Sequence, residues 1–314
     1  AVETNLRAFQ ASYTNATKSA TGGVEQFEPI QKNGPIDAFE LPAGTNTQGK
    51  ALLERIRSNF PPQTWAIIYA GVKRLVDYQD FAYGTEYLNR LQPILEKDSG
   101  TDDYKLTNET ARYLALWMGF EDIVRVAQLK IRRERLQRFR DEVKAAPDQH
   151  VNVVEFLRPQ VEEICSFLPP KMASYILASP AWCKFLNLFS GGKQIKTSSI
   201  HGYLMFYLLA GLKRWRRGSY VYQKETAHIN TWLAAIASAA RVDHEQAIEL
   251  AMCGRLIKGY GETRRRGIAN LEKILKQYNA KSALPSFNVQ ELREAALADD
   301  EGAELTSVLQ TQAA

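Results

Sequence analysis

Cysteine is scarce in this chain. Its three thiols, Cys165, Cys183 and Cys253, are far apart and form no CxxC pair. An odd, scattered set argues against a disulfide framework and for a reducing cytosol. Three thiolates also fall short of the four that hold an iron–sulfur cluster. Histidine is as thin: His150, His201, His228 and His244 occur singly, with no HExxH or other ligand-like spacing, so no zinc site is expected. Long apolar runs are missing too. The strongest, Tyr203 to Leu212, is far short of the ~20 residues that span a bilayer. No signal peptide is visible, and a start at Ala1 instead of Met leads us to expect a piece excised from a longer chain. A net charge of +5 is too small to make the whole molecule a polycation, so local basic runs carry the information. No fixed repeat is present, and a solenoid is not indicated.

What remains is an ordinary soluble composition, 45% hydrophobic and 24% charged, arranged with helical periodicity. The pattern predicts an all-α (mainly α) fold: a multi-helix globular bundle with long helices and an irregular N-terminal linker. Val2 to Phe9 reads as one or two helical turns. Residues 11 to 50, rich in Ser, Thr, Asn, Gly and Pro, read as a linker ended by Pro61-Pro62. The expected division is therefore 1–60 as the end of an upstream domain plus linker, 61–300 as the helical domain and 301–314 as a tail. One helix is expected from Gln63 to about Lys97, kinked or ended early by Pro93. A second is expected from a cap at Thr107 or Asn108 to about Ala145, with Glu121 and Arg125 as an ordinary surface pair. The helix holding Tyr203 to Leu209 is apolar on every side and is expected to be central. Tyr220 to Val242 forms a further helix.

The most distinctive stretch runs from Leu256 to Gly267. Asp243 and Gln246 have capping-box spacing for an incoming helix. Gly259 stands where a helix C-terminus needs positive φ, and Thr263 is placed to cap the next helix, which runs to about Tyr278. Lys258, Gly259, Tyr260, Gly261, Thr263, Arg264 and Arg265 thus form a basic glycine corner that could hold an anion or be a solvated joint. Asp77, Tyr78 and Asp80 alternate acids with an aromatic ring on a core helix; the tyrosines there are expected to pack and the acids to pair with arginines. Two phosphate-loop readings fail. Ser190-Gly191-Gly192-Lys193 would need glycine at Asn187 and Ser or Thr at Gln194, and the corner reads G-x-G-x₅-G after a helix, not G-x-G-x-x-G after a strand. No nucleophile elbow is present.

Four stretches together resemble one family. They are Arg74 to Asp80, Met118 to Ala127, Leu209 to Arg217 and Leu256 to Gly267. They are similar to the C-terminal helical domain of proteins like the B-type subunit of indolepyruvate oxidoreductase, in the 2-oxoacid:ferredoxin oxidoreductase family. Glu262 and Arg264 stand where that pattern has Asp and His. Val2 to Phe9 resembles the last helix of the gamma-type domain that precedes it there.

The resemblance implies a parent complex that decarboxylates aryl 2-oxoacids oxidatively with coenzyme A and passes electrons to ferredoxin. It places thiamine diphosphate and the iron–sulfur clusters on the companion subunit or domain, with none in this chain. The domain itself is then expected to be non-catalytic and cytoplasmic. It would position subunits, or bind a coenzyme A phosphate or 2-oxoacid carboxylate at the corner. In another reading, the corner is an ion-pair hub joining Asp77, Asp80 and Glu262. Outside the resemblance stand a nucleic-acid-binding protein using residues 130–140 and 213–217, and a regulatory ligand-binding domain.

Overall fold

The computed structural model describes residues 39–44, 46–146, 148–157, 160–188, 190–259, 261–281, 288–299 and 302–311. The chain divides into two compact units, residues 1–40 and 41–314. Of the first, only Phe39 and Glu40 are described, so the helix expected at Val2 to Phe9 lies outside the described residues. The second unit is mainly α-helical.

Its core begins earlier than composition suggested. Asn46 accepts a hydrogen bond from the Gly49 amide at 2.7 Å and so caps α1, Thr47–Asn59, which buries Leu52, Leu53 and Ile56. The expected linker therefore ends before residue 47. Helix α2, Pro62–Tyr78, and helix α3, Phe81–Leu95, replace the single helix expected to Lys97. The break falls at Gln79, because Asp80 turns its carboxylate to the Tyr83 amide at 2.7 Å and starts a new helix. Pro93 is accommodated near the end of α3.

The second long helix is also divided. Helix α4, Lys105–Met118, stops at Gly119; α5, Ile123–Lys130, is capped by Asp122; α6, Arg133–Glu142, follows a short turn. Asp98 accepts from both the amide and the hydroxyl of Thr107, so Thr107 lies in the first turn of α4 and is not its cap. A two-stranded antiparallel ribbon, β1 (Val154–Leu157) with β2 (Lys193–Lys196), pairs Glu155 with Ile195. Between its strands lie α7 (Val161–Cys165), α8 (Pro170–Ala178) and α9 (Pro180–Asn187). Glu155 is buried and pairs with Lys130 and Arg135, which ties the ribbon to the α5–α6 corner. Those two cations hold its carboxyl below the usual glutamate range, against the upward push of burial.

Helix α10, Ile200–Gly211, buries only Gly202 and Phe206. The expectation of a central helix is wrong: one face rests on α5, and Tyr203, Leu204, Tyr207 and Leu208 face outward. A 3-10 segment, Leu212–Gly218, leads to α11, Tyr220–Ala239, and then α12, His244–Met252, capped by Asp243. A second 3-10 turn, Cys253–Leu256, precedes α13, Gly261–Lys281. Thr263 is therefore inside the first turn of α13 and does not cap it. Two further helices, α14 (Val289–Ala298) and α15 (Ala303–Thr311), finish the unit, and Leu305 is fully buried, so the expected tail packs as part of the domain. No helix among the described residues is long and apolar enough to cross a membrane.

The core joins α1–α4 to α11–α15, with the Trp117 and Trp232 rings 5.6 Å apart at its centre. Gly267 sets how closely α13 crosses the preceding turn: a Cβ there would lie 2.2 Å from the Leu256 carbonyl oxygen. That neighbour is backbone and cannot swing aside. Gly267→Ala is expected to lower stability by about 1–3 kcal/mol in a denaturant titration, the range for an overpacked contact. A change below roughly 0.5 kcal/mol, the scatter of an ordinary surface substitution, would show that the crossing yields without strain.

Candidate functional site

The four stretches that carry the family resemblance meet in space. Their centre is Arg216, which the 3-10 segment after α10 drives into the core until the residue is 0% exposed. Its Nε and Nη2 donate to Asp122 at 2.6 and 3.1 Å, and its Nη1 donates to the Tyr78 carbonyl and to Gln79 Oε1, both at 2.8 Å. The guanidinium also stacks over the Tyr78 ring, 4.0 Å from its centroid. Asp122 does three tasks: it holds Arg216, accepts from the Tyr78 hydroxyl at 3.2 Å, and caps α5 through the Arg125 amide at 2.6 Å. A buried cation is tolerable only with such complete pairing. Tyr78 is held neutral, its phenol well above the ordinary value, by burial and then by the Asp122 charge.

A partly exposed ring of ion pairs surrounds this centre. Asp77 receives Arg125 at 2.8 Å and Arg132 at 2.7 Å, and Lys213 donates to its carbonyl. Burial tends to raise the Asp77 pKa, but the two guanidiniums prevail and hold it below the usual aspartate range. Asp80 pairs with Arg217 at 3.3 Å, and Arg217 lies 5.3 Å from the Tyr83 ring centroid. Tyr83 itself is buried and donates to the Met118 carbonyl. The Glu121–Arg125 pair expected from helical spacing does not form. Arg125 turns to Asp77, because α5 starts anew at Asp122 and faces α2.

On the other side, the Phe120 ring packs edge-on against Tyr78, centroids 5.8 Å apart, and Arg264 lies 5.8 Å from the centre of the Phe120 ring. Arg264 forms a two-point pair with Glu225, Nε at 2.9 Å and Nη2 at 2.8 Å, while Trp117 Nε1 donates to the same carboxylate at 2.7 Å. The result is one continuous layer from Asp122 through Arg216, Tyr78, Phe120 and Arg264 to Glu225 and Trp117.

The basic corner looks different from its sequence expectation. Gly259 and Gly261 do adopt positive φ, +67° and +58°. Yet Arg264 points inward to Glu225, and Arg265 points outward to Glu262 with its side chain 70% exposed. Lys258 and Thr263 instead border a small recess with Arg266, Gly267 and Asn270. Tyr260 lies outside the described residues. The two arginines therefore do not converge on one anion. Nor do Asp77, Asp80 and Glu262 share a hub: Asp77 pairs with Arg125 and Arg132, Asp80 with Arg217 and Glu262 with Arg265, and the Tyr78–Phe120 ring contact links the two regions.

Sequence reasoning missed Asp122, Arg216 and Glu225 as partners. Asp122 carried a usable signal, an aspartate three residues before an amide it could cap. Arg216 was masked by the basic run around it, and Glu225 by distance along the chain. The fold also brings the side-chain ligand atoms of Asp98, Asp102 and the distant His244 within 4.8 Å of one another. Burial pushes Cys253 up to about 12 and raises Cys165 as well, keeping both protonated.

Comparison with known proteins finds no match among curated proteins and none among solved structures. A family model does match, over residues 64–277; it is described as a family of unknown function, DUF6537. That span runs from α2 through α13 and holds every residue of the layer just described. The chain belongs to this family.

Proposed function

We propose that this chain is the accessory helical domain of a protein like the B-type subunit of indolepyruvate oxidoreductase. Its parent complex would carry out coenzyme A-dependent oxidative decarboxylation of aryl 2-oxoacids, with electrons passing to ferredoxin. The domain holds the companion thiamine-binding subunit or domain in place and performs no chemistry itself. Thiamine diphosphate and the iron–sulfur clusters belong to the companion, and the setting is cytoplasmic, in keeping with three free cysteines.

The observation that carries this reading is the closure of the layer. The stretches that resemble that family converge, but the cations at their meeting point are paired with carboxylates of the same chain: Arg216 with Asp122, Arg264 with Glu225, and Arg125, with neighbouring Arg132, with Asp77. Catalytic groups need an uncommitted donor or a carboxylate poised near neutral pH; here the ion pairs make a keystone. The same closure weakens the nucleic-acid alternative, since Lys130, Arg132, Arg135, Arg216 and Arg217 are all engaged in ion pairs.

The test is reconstitution. The chain alone should turn over no aryl 2-oxoacid. Added to the companion subunit, it should raise coenzyme A-dependent ferredoxin reduction. Arg265→Ala should leave the Michaelis constants for coenzyme A and oxoacid unchanged, because its pair with Glu262 is solvent-exposed. Turnover by the chain alone, or a companion indifferent to its presence, would sink the proposal.

A further inference from the structure

From Ile164 to Lys224 the chain contains no Asp or Glu and nine Lys or Arg. The same stretch holds most of the large apolar side chains that face solvent in the described residues. Its clearest element is α10. Ile200 is 83% exposed, Leu208 64% and Tyr207 57%, with Tyr203 and Leu204 beside them. Positions 200, 203, 204, 207 and 208 follow the spacing of a helix–helix seam. Trp215, 62% exposed, continues the stripe in the next segment, and the Tyr203 and Tyr207 rings stack along it. The opposite face of α10 is fixed to α5, and Gly202 seats its first turn so closely on β2 that a Cβ would meet the Lys196 carbonyl oxygen at 2.0 Å. The stripe is therefore held rigidly, which lowers the entropic cost of docking.

We infer that the outer face of α10, continued by Trp215, docks an apolar, helix-sized surface rimmed with carboxylates on the companion subunit. Charge selects this occupant. Exposed Lys196 and His201 stand at one end of the stripe and exposed Arg214 at the other, with no acid in the stretch to answer them. Acidic residues on the facing surface complete those ends and steer the encounter. A second copy is the wrong occupant: antiparallel pairing sets Arg214 against Lys196 and His201, and parallel pairing sets each against itself. A lipid surface is also less suited. Interfacial helices carry Lys and Arg along their flanks, whereas residues 202–211 contain neither. The identity of the partner as the companion subunit rests on the functional reading above; the face and its required chemistry do not.

The experiment is isothermal titration calorimetry at two salt concentrations, which measures how tightly the full chain binds the purified companion subunit. Leu208→Asp and Leu204→Asp are exposed changes, and circular dichroism verifies their folding. Each is expected to weaken binding tenfold or more. Arg214→Glu is expected to weaken it severalfold and to flatten its salt dependence. Wild-type binding that all three variants share unchanged overturns the assignment of this face and leaves the accessory role standing. No wild-type binding at all overturns the accessory role and the partner together. Self-association abolished by Leu208→Asp, seen in sedimentation velocity, overturns the assignment in favour of a second copy. Binding to phosphatidylserine–phosphatidylcholine vesicles that Leu208→Asp abolishes overturns it in favour of lipid.

Discussion

Arg216→Met is expected to cost the domain about 3–5 kcal/mol of folding stability, the range for removing one partner of a buried ion pair. Methionine restores most of the volume, so the loss is electrostatic: the Asp122 carboxylate, 1% exposed, loses the guanidinium that neutralised it. Against a typical domain stability of about 5–15 kcal/mol, that is at least about a fifth of the total. Asp122→Asn should be costly in the mirror sense, leaving Arg216 charged and buried, although the amide oxygen still caps α5 at the Arg125 amide. The double variant carries neither charge and should be less destabilised than the sum of the two single changes, by about 1–3 kcal/mol of coupling. Guanidinium titrations followed by tryptophan fluorescence supply all three numbers. Additive effects would mean that the pair does not act as a unit. Hydrogen exchange adds a spatial check, since amides in Leu212–Gly218 should lose protection before those of α4.

The same residue shows where a sequence reading succeeds and where it stops. Helical periodicity is a local property, and it correctly indicated a mainly α fold and the helix running to about Tyr278, which is α13 and buries Leu271, Ile274 and Leu275. Breaks were harder. Gln79 and Gly119 interrupt apolar patterns that continue in phase on both sides, so only the capping aspartates Asp80 and Asp122 marked the new starts. The surface of α10 was misjudged for a physical reason: a helix apolar all round is buried in most monomers, and its exposed half has meaning only when a partner is considered. The site was half legible. Asp77, Tyr78 and Asp80 were singled out from their unusual alternation, yet their partners lie on α5, in the turn before α6 and in the 3-10 segment, at separations along the chain that no spacing rule reaches. Arg264 and Arg265 are adjacent in sequence and opposite in role, because a step of one residue turns a helical side chain by about 100°.

Glu225→Gln is the sharper test of the layer's other half, because it has a pH signature. The carboxylate is buried, which tends to raise its pKa, but the two-point pair with Arg264 and the Trp117 indole N–H outweigh burial and hold it below the ordinary glutamate value of 4.5. A depressed carboxyl pKa favours the folded state while the group is ionised. The contribution is therefore fully present above the unfolded value near 4.5 and is lost as pH falls through the lower folded value. At pH 7 the substitution should cost about 3 kcal/mol, since it leaves the Arg264 guanidinium, 12% exposed, without its counter-charge. As pH falls from about 4.5 through the lower folded value, the gap between wild type and variant should narrow, because wild-type Glu225 then takes up the proton that the amide never needs. Asp77 and Glu155 also have depressed pKa values and give both proteins an acid-sensitive slope, so the difference curve is the quantity to read. Trp117 reports the event directly, as its indole loses an ionised acceptor. A wild-type-minus-variant stability difference that stays flat from pH 7 to the acid limb would mean that Arg264 and Glu225 are neighbours in space without being coupled in energy, and the keystone role of the layer would fall with them.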